Sequence, residues 1–181
     1  QIRNPKFVRY GWQPFTRANL VNEAGLPAST FRSEAAPVSW FRLPDLPGTE
    51  KSPSLGVSAP FTGVSGGQLF VAGGCNFPGK PAAEGGTKEY YCNIYALDIT
   101  ARSHAGWKRI GKLPIPLAYG ASVTTPEGLV WIGGNNNKEV SGQVFFVNWD
   151  GEKQQLHITK LPPLPMPLDN LSATYADGCL Y

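Results

Sequence analysis

The sequence predicts an all-β chain, a partial β-propeller of about two and a half blades behind an extended N-terminal tail. Two observations carry this. An apolar run closed by paired glycines occurs twice, as Leu69-Phe70-Val71-Ala72-Gly73-Gly74 and, sixty positions on, as Leu129-Val130-Trp131-Ile132-Gly133-Gly134. The composition agrees: 21 glycines and 17 prolines among 181 residues are too many turns for a helical protein, while 41% hydrophobic and 12% aromatic residues are too apolar for disorder. Paired glycines let a strand end turn close to its neighbours, where a side chain or a restricted φ would obstruct it. Recurrence at the length of one small sheet marks a blade.

The first 36 residues stand apart. Phe7-Val8-Arg9-Tyr10-Gly11-Trp12 alternates like one strand. Residues 22–32 show neither helical nor strand period and read as extended coil, and Ser33-Glu34-Ala35-Ala36-Pro37 resembles a linker. From Trp40 a unit recurs: a Trp opening a short strand, a Leu-Pro turn, a strand of small residues, the apolar strand with its glycines, then a strand such as Ile94-Tyr95-Ala96-Leu97-Asp98. This divides residues 37–181 into a blade at 37–106, a blade at 107–155 opened by Trp107, and an incomplete blade at 156–181. The tryptophans are expected to cover outer strands and pack between blades. Gly178-Cys179-Leu180-Tyr181 aligns with Gly128-Leu129-Val130-Trp131 at an offset of 50, so the next glycine pair is due where the chain stops.

Charge excludes some functions. The net charge is +3, and the densest basic spot, Trp107-Lys108-Arg109, is too small for a nucleic-acid footprint. No apolar stretch approaches the roughly 18 residues of a membrane-spanning helix. The chain starts at Gln1, as expected of a processed protein or a piece of a longer one. His104 and His157 fall at surface positions, and the spacing of Cys75, Cys92 and Cys179 does not suit a zinc site. Neither a metal nor an organic cofactor is expected. Cys75 follows one strand and Cys92 precedes the next, so a hairpin would set them face to face. A disulfide there would staple the insertion between them in an exported protein, and two free thiols are the alternative in a reducing compartment.

The repeat resembles kelch, whose blades are four-stranded sheets around a channel. The insertion narrows the likeness. Gly73-Gly74-Cys75-Asn76-Phe77-Pro78-Gly79-Lys80-Pro81, Glu84-Gly85-Gly86-Thr87-Lys88, Tyr91 and Asn93-Ile94-Tyr95-Ala96-Leu97 resemble the N-acetylneuraminate epimerase (sialic acid mutarotase) family, in its cyclically permuted branch. Leu117-Ala118-Tyr119-Gly120-Ala121-Ser122 fits as well, and the likeness covers about residues 38–181. Residues 1–32, chiefly Ile2-Arg3-Asn4-Pro5, Val8-Arg9-Tyr10-Gly11-Trp12 and Glu23-Ala24-Gly25-Leu26-Pro27-Ala28-Ser29, resemble the C-terminal end of SGNH-type sialate O-acetylesterases, without that family's nucleophile or histidine motif. Together the two resemblances imply a fused polypeptide that deacetylates and then equilibrates the sugar, in a periplasmic or secreted setting.

The resemblance implies interconversion of sialic acid anomers. One group must take the anomeric hydroxyl proton while another protonates the ring oxygen. The family's acid/base pair, a Glu and an Arg, belongs to a blade with no counterpart here. Catalytic residues are therefore left unassigned. The residues placed at the mouth are Asn76, Phe77, Glu84, Lys88 and Tyr91 of the insertion, with Asn135 and Asn136 after the second glycine pair. Each has a plainer reading: Asn76-Phe77-Pro78-Gly79 as a turn, Glu84 as an exposed acid, Lys88 as a solvated cation, the asparagines as a loop. Asp169-Asn170 lacks the Gly-x-Ser-x-Gly of a hydrolase. A non-catalytic binding module and an esterase activity inherited from upstream are the rival functions. Open blade edges would call for the remaining blades or a second copy of the chain as partner, with sialic acid as the small-molecule partner.

Overall fold

A computed structural model describes residues 9–10, 19–21, 23, 31–32, 42–48, 54–100 and 106–181. The chain divides into two compact units, Gln1–Arg42 and Leu43–Tyr181. In the first, β1 (Arg9–Tyr10) pairs antiparallel with β2 (Phe31–Arg32). Phe31 and Arg32 are thus strand where coil is expected; a partner more than twenty positions away orders them, and no local period could announce it. Trp40 and His104 lie outside the described residues.

Among its described residues, the second unit is all-β apart from one short 3-10 turn, Ala82–Glu84. β3 (Phe61–Ser65), β4 (Gln68–Ala72), β7 (Asn93–Asp98) and β8 (Lys108–Lys112) form one antiparallel sheet in chain order. Between β4 and β7, the short strands β5 (Cys75–Asn76) and β6 (Glu89–Tyr90) make a hairpin. The second sheet runs β9 (Ala121–Thr125), β10 (Gly128–Ile132), β11 (Val144–Asp150) and β12 (Gln155–Leu161), again antiparallel neighbour to neighbour. β13 (Tyr175–Ala176) and β14 (Cys179–Leu180) form the inner hairpin of a third. The partial-propeller prediction is borne out.

The blade boundaries move by one strand. Trp107-Lys108-Arg109 is expected to open the second unit, but β8 pairs with β7 and closes the first sheet. Residues 156–159 likewise belong to β12, the last strand of the second sheet. A cyclic repeat has no starting point in sequence; hydrogen bonding decides which sheet keeps the outer strand. Trp107, just before β8, donates its indole N–H to Pro44 O at 2.8 Å.

The sheets stack face to face. Phe61, Phe70, Ala72, Ile94 and Ala96 of the first meet Leu129, Trp131, Phe145 and Val147 of the second in one buried cluster, joined by Leu113 and Leu117 from the connecting loop. The Trp131 ring stacks on Phe61 at 5.7 Å, and Trp149 tilts against Phe70 at 5.9 Å. The opposite face of the second sheet buries Val123, Val130 and Ile132 with Leu164, Leu171 and Tyr175 of the third repeat. Every residue of β10 is therefore buried, as expected for an inner strand with a sheet on either side.

Backbone bonds repeat with the blades. Gly73 N–H donates to Asn93 O and Gly133 N–H to Gln143 O within each sheet. Gly74 N–H reaches Leu117 O and Gly134 N–H reaches Leu168 O, each at 2.8 Å and each in the following repeat. Tyr119 N–H donates to Ala59 O, and Asn170 N–H to Tyr119 O, so one residue per repeat links three repeats in series. The paired glycines are required by this contact. Gly73 and Gly133 have φ of +66° and +65°, and a Cβ on either would lie 2.3 Å from the carbonyl oxygen of Leu117 or Leu168.

Gly133→Ala should therefore combine left-handed backbone strain with a clash against a carbonyl, and destabilise by ~3 kcal/mol or more. Gly85 shares a positive φ but faces open space. Gly85→Ala should cost only about 1–2 kcal/mol, the strain alone. Urea unfolding of the two variants separates the terms, and equal losses would show that the approach to Leu168 contributes nothing.

Candidate functional site

The insertion leaves the first sheet at its glycine pair and returns to the same point. Tyr91 N–H donates to Gly74 O at 2.9 Å, which closes the excursion, while β5 and β6 pair Cys75 with Tyr90 and Asn76 with Glu89. The tip is tied by Gly86 N–H to Pro81 O and Gly85 N–H to Ala82 O, both 3.0 Å. Gly85 ends the 3-10 turn in the left-handed conformation.

Strand alternation then sorts the side chains. Cys75 and Phe77 project to one side. Lys88, one step beyond the Asn76–Glu89 pair, lies with them: its Nζ is 5.6 Å from the Phe77 ring centroid and 5.0 Å from that of Tyr119. The ammonium donates to Tyr119 Oη at 2.9 Å. That hydrogen bond is the main reason its pKa is raised above the ordinary lysine value. Tyr119 itself sits at φ +63°, a conformation a bulky residue seldom adopts.

Asn76 projects to the other side. Its Nδ2 donates to Gly56 O at 2.7 Å, and its Oδ1 accepts from Tyr91 Oη at 2.6 Å. Burial, with help from Glu89, pushes the Tyr91 phenol pKa up, so it stays neutral. Asn76 and Tyr91 line a cavity of about 490 Å³ together with Asn93, Tyr95 and Arg109. Asn93 and Tyr95 alternate with Ile94 and Ala96 of the intersheet core and so face away from the second sheet.

The remaining expected residues separate from these. Asn135 takes the place in its repeat that Cys75 takes in the first: Asn135 bridges to Ala118 as Cys75 bridges to Ser58. Its Nδ2 donates to the Asp169 carboxylate, and its buried Oδ1 has no partner among the described residues. The Asn136 side chain is already committed, accepting from Lys138 and Glu139 N–H in its own turn and donating to Pro116 O at 3.0 Å. Glu84 stands exposed at the end of the 3-10 turn. Tyr119, Tyr95 and Arg109 join the site without having been expected at it. Aligning Ala59, Tyr119 and Asn170 as equivalent strand-entry residues, all at positive φ, exposes the first.

The Cys75–Cys92 staple is corrected: all three cysteines are free. The hairpin register sets Cys75 opposite Tyr90, two residues short of Cys92. Cys75 Sγ lies 3.5 Å from Tyr119 Oη and 3.8 Å from Ser58 O, whereas Cys92 packs on the intersheet core. Among the described residues no three His, Cys, Asp or Glu side chains group as a metal site, and no helix is long and apolar enough to cross a membrane.

Thiol titration of the unfolded, unreduced chain should return three reactive groups; a count of one would restore the staple. The pH response rests on the shifted groups. Lys88 and Tyr91 have raised values, so their contribution to stability is complete below the ordinary values and fades as pH rises through the raised ones. Asp150 is lowered, chiefly by the backbone N–H and ammonium of Lys153, so its contribution holds above the ordinary carboxylate value and is lost on acidification. The melting temperature should stay level from about pH 5 to 9 and fall beyond about pH 10. Absorbance at 295 nm should show the Tyr91 phenol ionising later than free tyrosine, as a late component that Tyr91→Phe removes.

Comparison with known proteins identifies the family. The profile of the N-acetylneuraminate epimerase family matches residues 23–158, and so takes in residues 23–36, which the sequence assigns to an esterase-like tail and linker. N-acetylneuraminate epimerase of Brucella suis is 36% identical over 124 residues, covering 62% of this chain and 31% of the relative. That of Vibrio cholerae is 37% identical over 118 residues, with coverages of 62% and 31%. That of Yersinia pestis is 35% identical over 132 residues, with coverages of 67% and 32%. A solved structure titled "Structure of YjhT" aligns with a TM-score of 0.49 at 24% identity, over 63% of this chain and 33% of that one. The chain spans about a third of the length of the curated relatives it matches. On a family profile that covers most of its residues, the chain belongs to the N-acetylneuraminate epimerase family.

Proposed function

We propose that this chain takes part in binding N-acetylneuraminate and interconverting its anomers. The observation that carries the reading is the insertion itself. In a chain of this family, it folds as a hairpin at the glycine-closed strand ends and gathers a cation, phenols and amides there. Anomer exchange opens a cyclic hemiketal and closes it on the other face. One group accepts the anomeric hydroxyl proton and another protonates the ring oxygen. The described side chains suit recognition of such a sugar acid: on one side of the hairpin Lys88 offers a charge and Phe77 an apolar ring, and on the other Tyr91 and Asn76 form a hydrogen-bonded pair beside a cavity. Asn136 and Glu84 contribute to the loops that shape this mouth. The proton-transferring pair is assigned to the part of the relatives' length that this chain does not span.

The junction with a sialate O-acetylesterase belongs to the same proposal. It is supported by the resemblance of residues 1–32 alone, of which residues 23–32 also fall within the epimerase match. Saturation transfer between the two anomers' ring protons tests the function, using this chain and a chain of the relatives' full length. The expected result is saturation-transfer contact with the sugar in both and faster exchange in the longer chain. Contact without acceleration in either would leave a carbohydrate-binding module. Silence in both would reject the reading.

A further inference from the structure

We propose that Lys88 receives the carboxylate of the sugar acid and that Tyr119 is the residue that positions it. The inference rests on the sugar-binding reading above. A lysine ammonium on a loop ordinarily samples many rotamers in water. Lys88 is confined instead: one proton goes to Tyr119 Oη at 2.9 Å, and the rings of Phe77 and Tyr119 lie within 5.6 Å and 5.0 Å of its nitrogen. Aromatic faces favour a cation but do not neutralise it. Among the described residues no carboxylate pairs with Lys88, so two of its three protons and its whole charge are left for an anion. A carboxylate satisfies both.

Tyr119 gives the arrangement its rigidity. Its backbone at φ +63° is fixed by N–H to Ala59 O at 3.0 Å and by its own carbonyl accepting from Asn170 N–H at 2.8 Å. The other two residues at this place in the repeat are Ala59 and Asn170, one small and one tolerant of the left-handed region. A tyrosine here accepts backbone strain to hold a phenol over the insertion, the pattern expected where strain serves a site. The phenol belongs to the stacked sheets and the ammonium to the hairpin, so the hydrogen bond registers one against the other. The carboxylate of N-acetylneuraminate is attached to the anomeric carbon, so anchoring it also sets where the reacting hydroxyl lies.

The test measures affinity of this chain for N-acetylneuraminate and for its methyl ester by NMR titration at neutral pH and low salt. Wild type should prefer the acid about tenfold, as one ammonium–carboxylate contact in a half-buried setting allows. Lys88→Gln should abolish that preference, and Lys88→Arg should keep most of it. Tyr119→Phe should reduce the preference severalfold while the melting temperature stays within a few degrees. It should also shift the alkaline loss of acid binding to lower pH, since the bond that raises the Lys88 pKa is gone; a merely structural role would not move that profile. Equal wild-type affinity for acid and ester, or an unchanged preference in Lys88→Gln, overturns the inference while leaving sugar binding intact. If Tyr119→Phe leaves the pH profile where it was, the positioning role is rejected. Absence of binding to either sugar overturns this inference and the sugar-binding reading together.

Discussion

One backbone hydrogen bond per repeat holds this architecture together: the N–H of the second glycine donating to a leucine carbonyl of the following repeat. Gly74 meets Leu117 and Gly134 meets Leu168 at the same 2.8 Å. The contact brings two chain segments so close that the first glycine of each pair has no room for even a methyl group. It thereby fixes the spacing at which sheets stack, and with it the depth of the cluster around Phe61 and Trp131. A side chain at either glycine would push the sheets apart and open that cluster.

Much of the fold is legible because this contact leaves its mark as a residue type. Paired glycines sixty positions apart announce the strand ends, and the apolar runs before them announce the inner strands. The outer strands are harder, and the sequence assigns them to the wrong sheets. Their identity depends on pairing between β7 and β8, and nothing in Trp107-Lys108-Arg109 states which neighbour they join. The register shift opposite Ile94 and Tyr95 obscures that pairing further, because it skips Ile110 and so breaks the alternation of β8. Phe31 and Arg32 escape notice for the same reason: their order comes from a distant partner.

The site is legible in outline and not in its connections. The insertion is recognisable by its glycines, prolines and polar residues. Whether Lys88 is solvated or held depends on Tyr119, thirty-one positions away and in a different repeat. Cys75 and Cys92 look like a pair because the hairpin between them is foreseeable while its register is not. Asn136 shows the opposite error. Its amide suits a sugar on chemical grounds, but three neighbouring backbone groups have already claimed it.

The two glycine-closed strand ends carry loops of very different length, yet both loops finish alike. Tyr91 N–H returns to Gly74 O after a long excursion, and Ser141 N–H returns to Gly134 O after a short one, at 2.9 Å and 2.7 Å. The sheet cannot sense how much polypeptide lies beyond that clasp. Lineages descended from a shared scaffold could lengthen, shorten or exchange this segment as an interchangeable cassette, acquiring an appetite for a new ligand while inheriting an unaltered interior.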